Sequence, residues 1–276
     1  MFYNLKEGIL DFGDGKCRYI SFGRGSEPLI MIQGLNTRGI KGAGASLALM
    51  YRCFARKYRV YLFDRREELP ERVTIEALAR DLAAAMDKLS LCGAYVLGVS
   101  MGGMIAQQLA ITRPDLVKKL VIAVSAARCN PTIEGAIHEW IRLTREGKFR
   151  ALVKDMAERM YSEKYFKMYK PFLPLLTLLQ KPKDEGRFIK LCEACLTARA
   201  YDDLSRITCK TLVIGGGEDK IVSSEASLEI AERIGCKIKM YEGLGHAAYE
   251  EARDFNPTVL EFFLSKQLNY LFPFRE

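Results

Sequence analysis

The chain has 276 residues, of which 49% are hydrophobic and 28% charged. This balance excludes the low-hydrophobicity, high-charge composition of disordered proteins, and the length predicts one domain with a single sizeable core and room for an insertion. The net charge of +8 comes from 42 basic residues interleaved with 34 acidic ones rather than gathered into a stripe, so we expect no nucleic-acid partner.

The eight cysteines follow no disulfide pattern, because their spacing is irregular and several lie in apolar runs. We interpret them as reduced thiols and expect a cytoplasmic protein. Cys192 and Cys195 have C-x-x-C spacing without a second cysteine or histidine pair, so we expect no metal and no other cofactor. Residues 1–14 lack the pattern of a signal peptide, and the apolar run at residues 172–179 is far shorter than the ~20 residues of a membrane span, so no span is expected.

The first predicted elements form a hairpin followed by alternating strands and helices. Turn residues 12–15 precede a β-prone run at residues 17–22, which predicts a leading hairpin. Short β-prone runs at residues 29–33 and 59–63 follow, and residues 74–91 have the apolar spacing of a long amphipathic helix.

The alternation continues and is then interrupted. A strand is predicted over residues 94–99, a helix over 101–112 and a buried strand over 120–124, whereas residues 128–206 have helical periodicity and no convincing strand. Strand patterns return at residues 211–214 and 238–241. The sequence therefore predicts an α/β fold with a mostly parallel central sheet and helices on both faces, built from residues 1–127 and 207–276, with residues 128–206 as a helical insertion.

The strongest chemical signal is Gly98-Val99-Ser100-Met101-Gly102-Gly103, between a predicted strand and a predicted helix. The G-x-S-x-G spacing in this context predicts a nucleophile elbow, in which a strained turn projects the serine hydroxyl above the sheet. The alternative is a phosphate-binding turn, but serine stands where G-x-G-x-x-G requires its second glycine. Residues 39–46 have Walker-like glycine spacing, but Ala45 stands where the lysine is required, so we interpret them as a loop.

A serine nucleophile needs a base, and the chain has two histidines. His246 follows the last predicted strand, where open α/β sheets keep their sites, whereas His138 lies in the helical insertion and is interpreted as structural or pocket-lining. The acid that orients the histidine is expected at another strand end. Glu218 and Asp219, after the predicted strand at 211–214, are both available.

These motifs, in the order serine, acid, histidine, resemble those of the α/β-hydrolase superfamily, and the resemblance covers residues 19 to 263. The resemblance implies that Asp219 is the acid, since Asp219-Lys220-Ile221-Val222 matches the aspartate and apolar pair of the family. It also implies an oxyanion hole formed by the backbone amides of Leu35 and Met101.

The resemblance further implies that the insertion is a cap over the pocket. Aromatic and apolar cap side chains are expected to line that pocket, among them Trp140, Met160, Phe166 and Tyr169. The sequence departs from the family at two loops. Gln33 stands where the oxyanion loop has histidine, and Phe63-Asp64-Arg65-Arg66 continues into acidic residues where relatives have a glycine and serine turn.

The predicted reaction is acyl transfer: Ser100 attacks a carbonyl, an acyl-enzyme forms, and water activated by His246 releases the acid. We expect hydrolysis of a carboxylic ester of a small, largely apolar substrate. Lactone, amide or carbon–carbon bond hydrolysis and perhydrolysis use the same triad and stay open. A ligand-binding receptor derived from a hydrolase is a further alternative. The sequence predicts no oligomeric state.

Overall fold

The structure is a computed structural model that describes residues 3–265. Within these residues the chain forms eight strands, which pair into one sheet. The strands are β1 (Lys6–Asp11), β2 (Lys16–Phe22), β3 (Glu27–Ile32), β4 (Tyr58–Phe63), β5 (Ala94–Val99), β6 (Val117–Ala123), β7 (Lys210–Gly216) and β8 (Lys237–Tyr241).

The strand order across the sheet is β1-β2-β4-β3-β5-β6-β7-β8. Strand β2 is antiparallel to both β1 and β4, and every other pairing is parallel. The predicted leading hairpin is thereby confirmed, as is the mostly parallel sheet. All six residues of β5 are buried, as expected for a central parallel strand covered on both faces.

Eleven α-helices lie within the described residues, together with three short 3-10 turns. The helices are α1 (Gly44–Met50), α2 (Ile75–Lys88), α3 (Met101–Thr112), α4 (Pro131–Arg145), α5 (Phe149–Met160), α6 (Glu163–Tyr169), α7 (Leu173–Gln180), α8 (Glu185–Cys195), α9 (Ser224–Ile234), α10 (Ala248–Glu251) and α11 (Phe255–Leu264). The 3-10 turns are Pro114–Leu116, Lys170–Phe172 and Tyr201–Arg206.

Local sequence accounts for the ends of α2. The Thr74 hydroxyl accepts a 3.2 Å hydrogen bond from the Ala77 amide, which satisfies one of the free N–H groups of the first turn. The helix was predicted to reach residue 91 but ends at Lys88, because Ser90 has a left-handed backbone with φ of 53°.

Side chains of the sheet alternate between two cores. On β5, Val96 packs with α2 and α3, whereas Tyr95 and Leu97 pack on the opposite face with α1 and α11. This alternation gives the sheet helices on both faces, as predicted.

The segment between β6 and β7 contains α4 to α8 and no strand, as its periodicity predicts. Its ends lie side by side. Arg128 and Arg199 form an isolated antiparallel bridge, and the Ala200 amide donates a 2.7 Å hydrogen bond to the Ala127 carbonyl. Because the chain leaves and re-enters the sheet layer at one point, the helices between these residues add to the fold without interrupting the sheet.

One predicted loop is partly wrong. Residues 39–46 were expected to be irregular, but α1 begins at Gly44 and buries Leu47 and Ala48 against the sheet. Tertiary packing of these two side chains stabilises a short helix that glycine-rich local sequence disfavours. Across residues 3–265, no helix combines the length and apolar character needed to cross a membrane.

Candidate active site

Ser100 lies at the turn between β5 and α3 in an unusual backbone conformation, with φ of 56° and ψ of −123°. A non-glycine residue in such a conformation costs on the order of 1–3 kcal/mol, so the surrounding structure must hold it. Two hydrogen bonds do so. The Ser100 amide donates to the Ala123 carbonyl at 2.9 Å, and the Ser125 hydroxyl donates to the Ser100 carbonyl at 2.8 Å.

The glycines of the elbow allow the strand and the helix to approach closely. A Cβ atom at Gly98 would lie 2.5 Å from the Gly102 carbonyl oxygen and 2.8 Å from Ala106 Cβ. A Cβ atom at Gly102 would overlap the Ile32 carbonyl. Only glycine fits at either position, and this is the physical reason for the spacing found in the sequence.

The predicted serine, histidine and aspartate form one chain of hydrogen bonds. His246 follows β8, and its Nε2 lies 2.9 Å from Ser100 Oγ. Its Nδ1 lies 2.8 Å from Asp219 Oδ2, after β7. Because a carboxylate only accepts, Nδ1 carries the hydrogen and Nε2 is left to accept the serine proton. Glu218, the other available acid, is exposed and outside this chain.

Asp219 is buried and held in its ionised form. Burial by itself raises the pKa of this carboxyl, but the charge and hydrogen bond of His246 and two backbone amides outweigh it and hold the pKa below its usual value. The amides belong to Ile221 and Val222, which donate to Oδ1 at 2.8 and 3.0 Å. Both carboxylate oxygens are therefore occupied, and the side chain has a fixed orientation.

The two predicted oxyanion residues border the same cavity as Ser100. Met101 is the first residue of α3, where backbone N–H groups have no acceptor within the helix. Leu35 follows Gly34, whose added Cβ would lie 3.2 Å from Ser100 Cβ. The loop therefore passes directly beside the serine. Support for this loop comes from Arg65, which donates to the Gln33 carbonyl at 2.6 Å.

The cavity above Ser100 is small and apolar, with a volume of about 50 Å³. Trp140 and Met160, both predicted to line the pocket, border it. Cys195 borders it too, but burial raises the pKa of this thiol to about 12, so it stays protonated near neutral pH. A second cavity of about 300 Å³ meets the first at Gly34 and Leu35.

Two predicted pocket residues lie elsewhere: neither Phe166 nor Tyr169 borders the cavity within the described structure. Tyr169 instead packs against Tyr161, with ring centroids 5.0 Å apart. Helical spacing on α6 puts Tyr165 and Tyr169 on one face, where both rings pack against Tyr161 in the turn before the helix. The Tyr161 hydroxyl donates to Glu250. His138, interpreted as structural or pocket-lining, is exposed on α4.

The sequence analysis missed several residues of the site. Tyr249 borders both cavities from α10, and the sequence signal that could have found it was its position three residues after His246. Ile133 and Ile137 line the smaller cavity from α4, one helical turn apart. Arg65 could be found only from the fold, because it lies 32 residues from its partner Gln33.

Cysteines and acidic residues elsewhere form no second centre in the described chain. Within residues 3–265, no group of three or more His, Cys, Asp and Glu side chains is arranged to hold a metal ion. All eight cysteines fall within these residues and are free thiols. Cys192 and Cys195 are buried, and burial raises the pKa of both.

The family comparison extends over most of the chain. A model of the alpha/beta hydrolase fold family matches residues 27–253. The 3-oxoadipate enol-lactonase 2 of Acinetobacter baylyi is 25% identical over 256 residues, which cover 89% of this chain and 92% of that protein. The 2-hydroxy-6-oxononadienedioate/2-hydroxy-6-oxononatrienedioate hydrolase of Paraburkholderia xenovorans is 26% identical over 283 residues, covering 95% and 94%.

The fold agrees with this family. The crystal structure of MGS-M2, an alpha/beta hydrolase enzyme from a Medee basin deep-sea metagenome library, superimposes with a TM-score of 0.85 and 20% sequence identity. That alignment covers 96% of this chain and 100% of the other. With the family pattern spanning most of the chain and relatives that are named as hydrolases, this protein belongs to the alpha/beta hydrolase fold family and is a hydrolytic enzyme.

Proposed function

We propose that the protein is a serine hydrolase that cleaves the carboxylic ester, or a related acyl bond, of a small, largely apolar substrate. One observation carries the proposal: a strained serine is hydrogen-bonded to a buried histidine, which is bonded in turn to a buried aspartate. This is the arrangement that activates a hydroxyl for nucleophilic attack.

The proposed mechanism assigns a task to each side chain. His246 takes the Ser100 proton as the hydroxyl attacks the carbonyl, and Asp219 stabilises the imidazolium that forms. The amides of Leu35 and Met101 stabilise the negative charge that develops on the carbonyl oxygen. His246 then protonates the leaving group, and a water molecule deprotonated by the same residue releases the acid from the acyl-enzyme.

The cavity lining supports a neutral substrate. Beyond the serine and histidine, the described lining is dominated by apolar side chains and includes no Lys, Arg, Asp or Glu. The names of the two curated relatives, an oxoadipate enol-lactonase and a nonadienedioate hydrolase, refer to dicarboxylates. A carboxylate buried here would lose its hydration without gaining a cation, which is costly. We therefore propose neutral esters, with neutral lactones as the second candidate on the basis of the lactonase relative.

We infer that residues 128–206 act as the cap. Trp140 and Met160 come from this segment and border the cavity of about 50 Å³ above Ser100, so the segment covers the proposed nucleophile. The Ala247 amide donates a 2.7 Å hydrogen bond to the Met160 carbonyl, so cap and histidine loop are directly joined. The free thiols support a reducing compartment, and we propose a cytoplasmic location.

The test uses a fluorophosphonate probe, which an activated serine attacks as it attacks a carbonyl. The wild type should be labelled once and Ser100→Ala not at all, with Ser46→Ala, at an exposed serine outside both cavities, as a control that keeps labelling. Unchanged labelling of Ser100→Ala would refute the proposed nucleophile.

Substrate class is tested with paired aryl esters of equal length, one ending in a methyl group and one in a carboxylate. The neutral ester should have a kcat/KM higher by roughly 100-fold or more, because the charged ester leaves an unpaired buried charge. Equal values would refute the neutral-substrate proposal while leaving the nucleophile intact.

A further inference from the structure

Helices α6 and α7 expose apolar side chains that are interspersed with lysines, and this surface lies outside the cavity already described. We call residues 163–183 the α6–α7 surface. Its large apolar side chains are about half exposed or more: Met168 58%, Phe172 58%, Leu175 54%, Leu178 63% and Leu179 49%. Helix α6 has no buried residue, and α7 buries only Leu173.

The three leucines among these side chains form an apolar stripe on one face of α7. Leu175, Leu178 and Leu179 are spaced three and four residues apart on α7, which puts them on one helical face. Phe172 and Met168 extend the same spacing toward α6. Monomeric proteins rarely expose contiguous apolar patches of this kind unless the patch binds something.

The polar side chains of the α6–α7 surface are mostly cationic. The α6–α7 surface contains five lysines and one acidic residue, Glu163, for a net charge of +4 (5 − 1). Among the described residues only Lys167 of these lysines has an ion-pair partner, which is Glu163 at 2.6 Å. Arg38 adds to this charge, because its guanidinium donates to the Leu178 carbonyl at 3.4 Å. Arg38, Lys41 and Lys183 also border one cavity of about 200 Å³, whose charged lining comprises six basic and three acidic residues.

We propose that the α6–α7 surface docks on an anionic lipid bilayer, with its leucines and Phe172 in the interface and its lysines on the headgroups. An amphipathic segment with Leu and Phe on one face and lysines around them has the composition of an interfacial membrane element. Each lysine near an anionic leaflet is attracted to it, and the attraction weakens with salt. In this arrangement α6 and α7 lie along the membrane surface.

A second copy of the chain is the competing occupant, and charge argues against it. In a two-fold symmetric dimer the same patch meets itself, so the lysines of one copy would face those of the other. Like charges opposed across an interface are unfavourable. An anionic surface complements both the apolar stripe and its cationic surround.

The experiment is co-sedimentation of the full chain with vesicles. Vesicles of phosphatidylcholine with about 30% phosphatidylglycerol should bind the wild type at least tenfold more tightly than pure phosphatidylcholine vesicles, and binding should weaken between about 50 and about 500 mM salt. Ser100→Ala should bind like the wild type, which separates docking from the proposed catalytic role. Equal binding to both vesicle types, or none to either, would overturn the proposal.

The apolar stripe is tested with Leu175→Ser, Leu178→Ser and Leu179→Ser combined. This variant should lose roughly tenfold or more in vesicle affinity, because the buried apolar area supplies much of interfacial binding. The matched control combines Ile9→Ser, Leu228→Ser and Leu264→Ser, which are similarly exposed at 49%, 47% and 52% and should bind normally. Equal losses in both variants would overturn the proposal.

The charge is tested separately with Lys164→Gln, Lys170→Gln and Lys181→Gln combined, all at exposed positions that should fold normally. Affinity for anionic vesicles should fall about tenfold or more, whereas Lys6→Gln, Lys57→Gln and Lys237→Gln combined, also exposed, should change it little. Sedimentation velocity without lipid completes the test. A dimer that the leucine-to-serine variant abolishes would assign the surface to a second copy and overturn lipid docking.

Discussion

Arg65 donates a 2.6 Å hydrogen bond to the backbone carbonyl of Gln33, and so joins the two loops at which this sequence departs from its family. Gln33 precedes Gly34 and Leu35, which border the cavity beside Ser100. Arg65 is only 7% exposed, and its pKa is lowered by burial although the neighbouring Asp64 opposes the effect. A buried cation directed at a carbonyl can fix the loop that bears the proposed oxyanion donor.

Arg65→Met should therefore lower kcat by about 10- to 100-fold with little change in KM, because a displaced amide weakens only the interaction made in the transition state. Arg66→Met is the matched control, since the Arg66 guanidinium pairs with Asp14 and Asp81. Steady-state kinetics and the rate of probe labelling measure both. A loss of thermal stability in Arg65→Met with kcat unchanged would assign Arg65 a purely structural role.

Asp219→Asn should lower kcat by about 10⁴-fold, because an amide at this position lets His246 adopt the wrong tautomer. Glu218→Gln should leave kcat nearly unchanged, since this side chain is exposed next to the buried Asp219. Comparing kcat of the two variants on one aryl ester tests which residue is the acid. The reverse ranking would require Glu218 to be the acid.

Acid should destabilise the wild type more than Asp219→Asn. The pKa of Asp219 is lowered in the folded protein, because His246 and two amides outweigh the opposing effect of burial. A lowered pKa contributes stability that is present above the unfolded value of about 3.9 and is lost as the pH falls through the folded value. Denaturant titrations at about pH 7 and about pH 3 measure the free energy of unfolding. Glu218→Gln is the control and should lose as much stability between the two pH values as the wild type. If the free energy of unfolding of Asp219→Asn also falls by the same amount, the linkage is contradicted.

Met160→Ala should shift preference toward longer acyl chains, because it enlarges the cavity beside Ser100. Each further methylene that becomes buried is worth about 0.8 kcal/mol, or about fourfold in kcat/KM. Phe166→Ala is the control, since Phe166 does not border the cavity in the described structure. A series of aryl esters of increasing chain length provides the measurement. Parallel profiles for Met160→Ala and the wild type would exclude Met160 from acyl binding.

The sequence by itself predicted the elements whose signals are local. Residues 94–99 and 101–112 match β5 and α3 at both ends, because side-chain periodicity and the glycines of the elbow act over a few residues. The predictions of Ser100 and His246 used the same local signals, since Ser100 directly follows one strand pattern and His246 lies in the loop after another.

Tertiary structure decided what depends on distant contacts. Residue patterns offered both Glu218 and Asp219, and only the family resemblance implied Asp219; the fold buries Asp219 and exposes Glu218. It also turned Tyr169 toward Tyr161 and away from the predicted pocket, and brought Arg65 to Gln33. Helix and strand periods specify which side of an element is apolar, but the partner of that side is fixed only when the elements pack together.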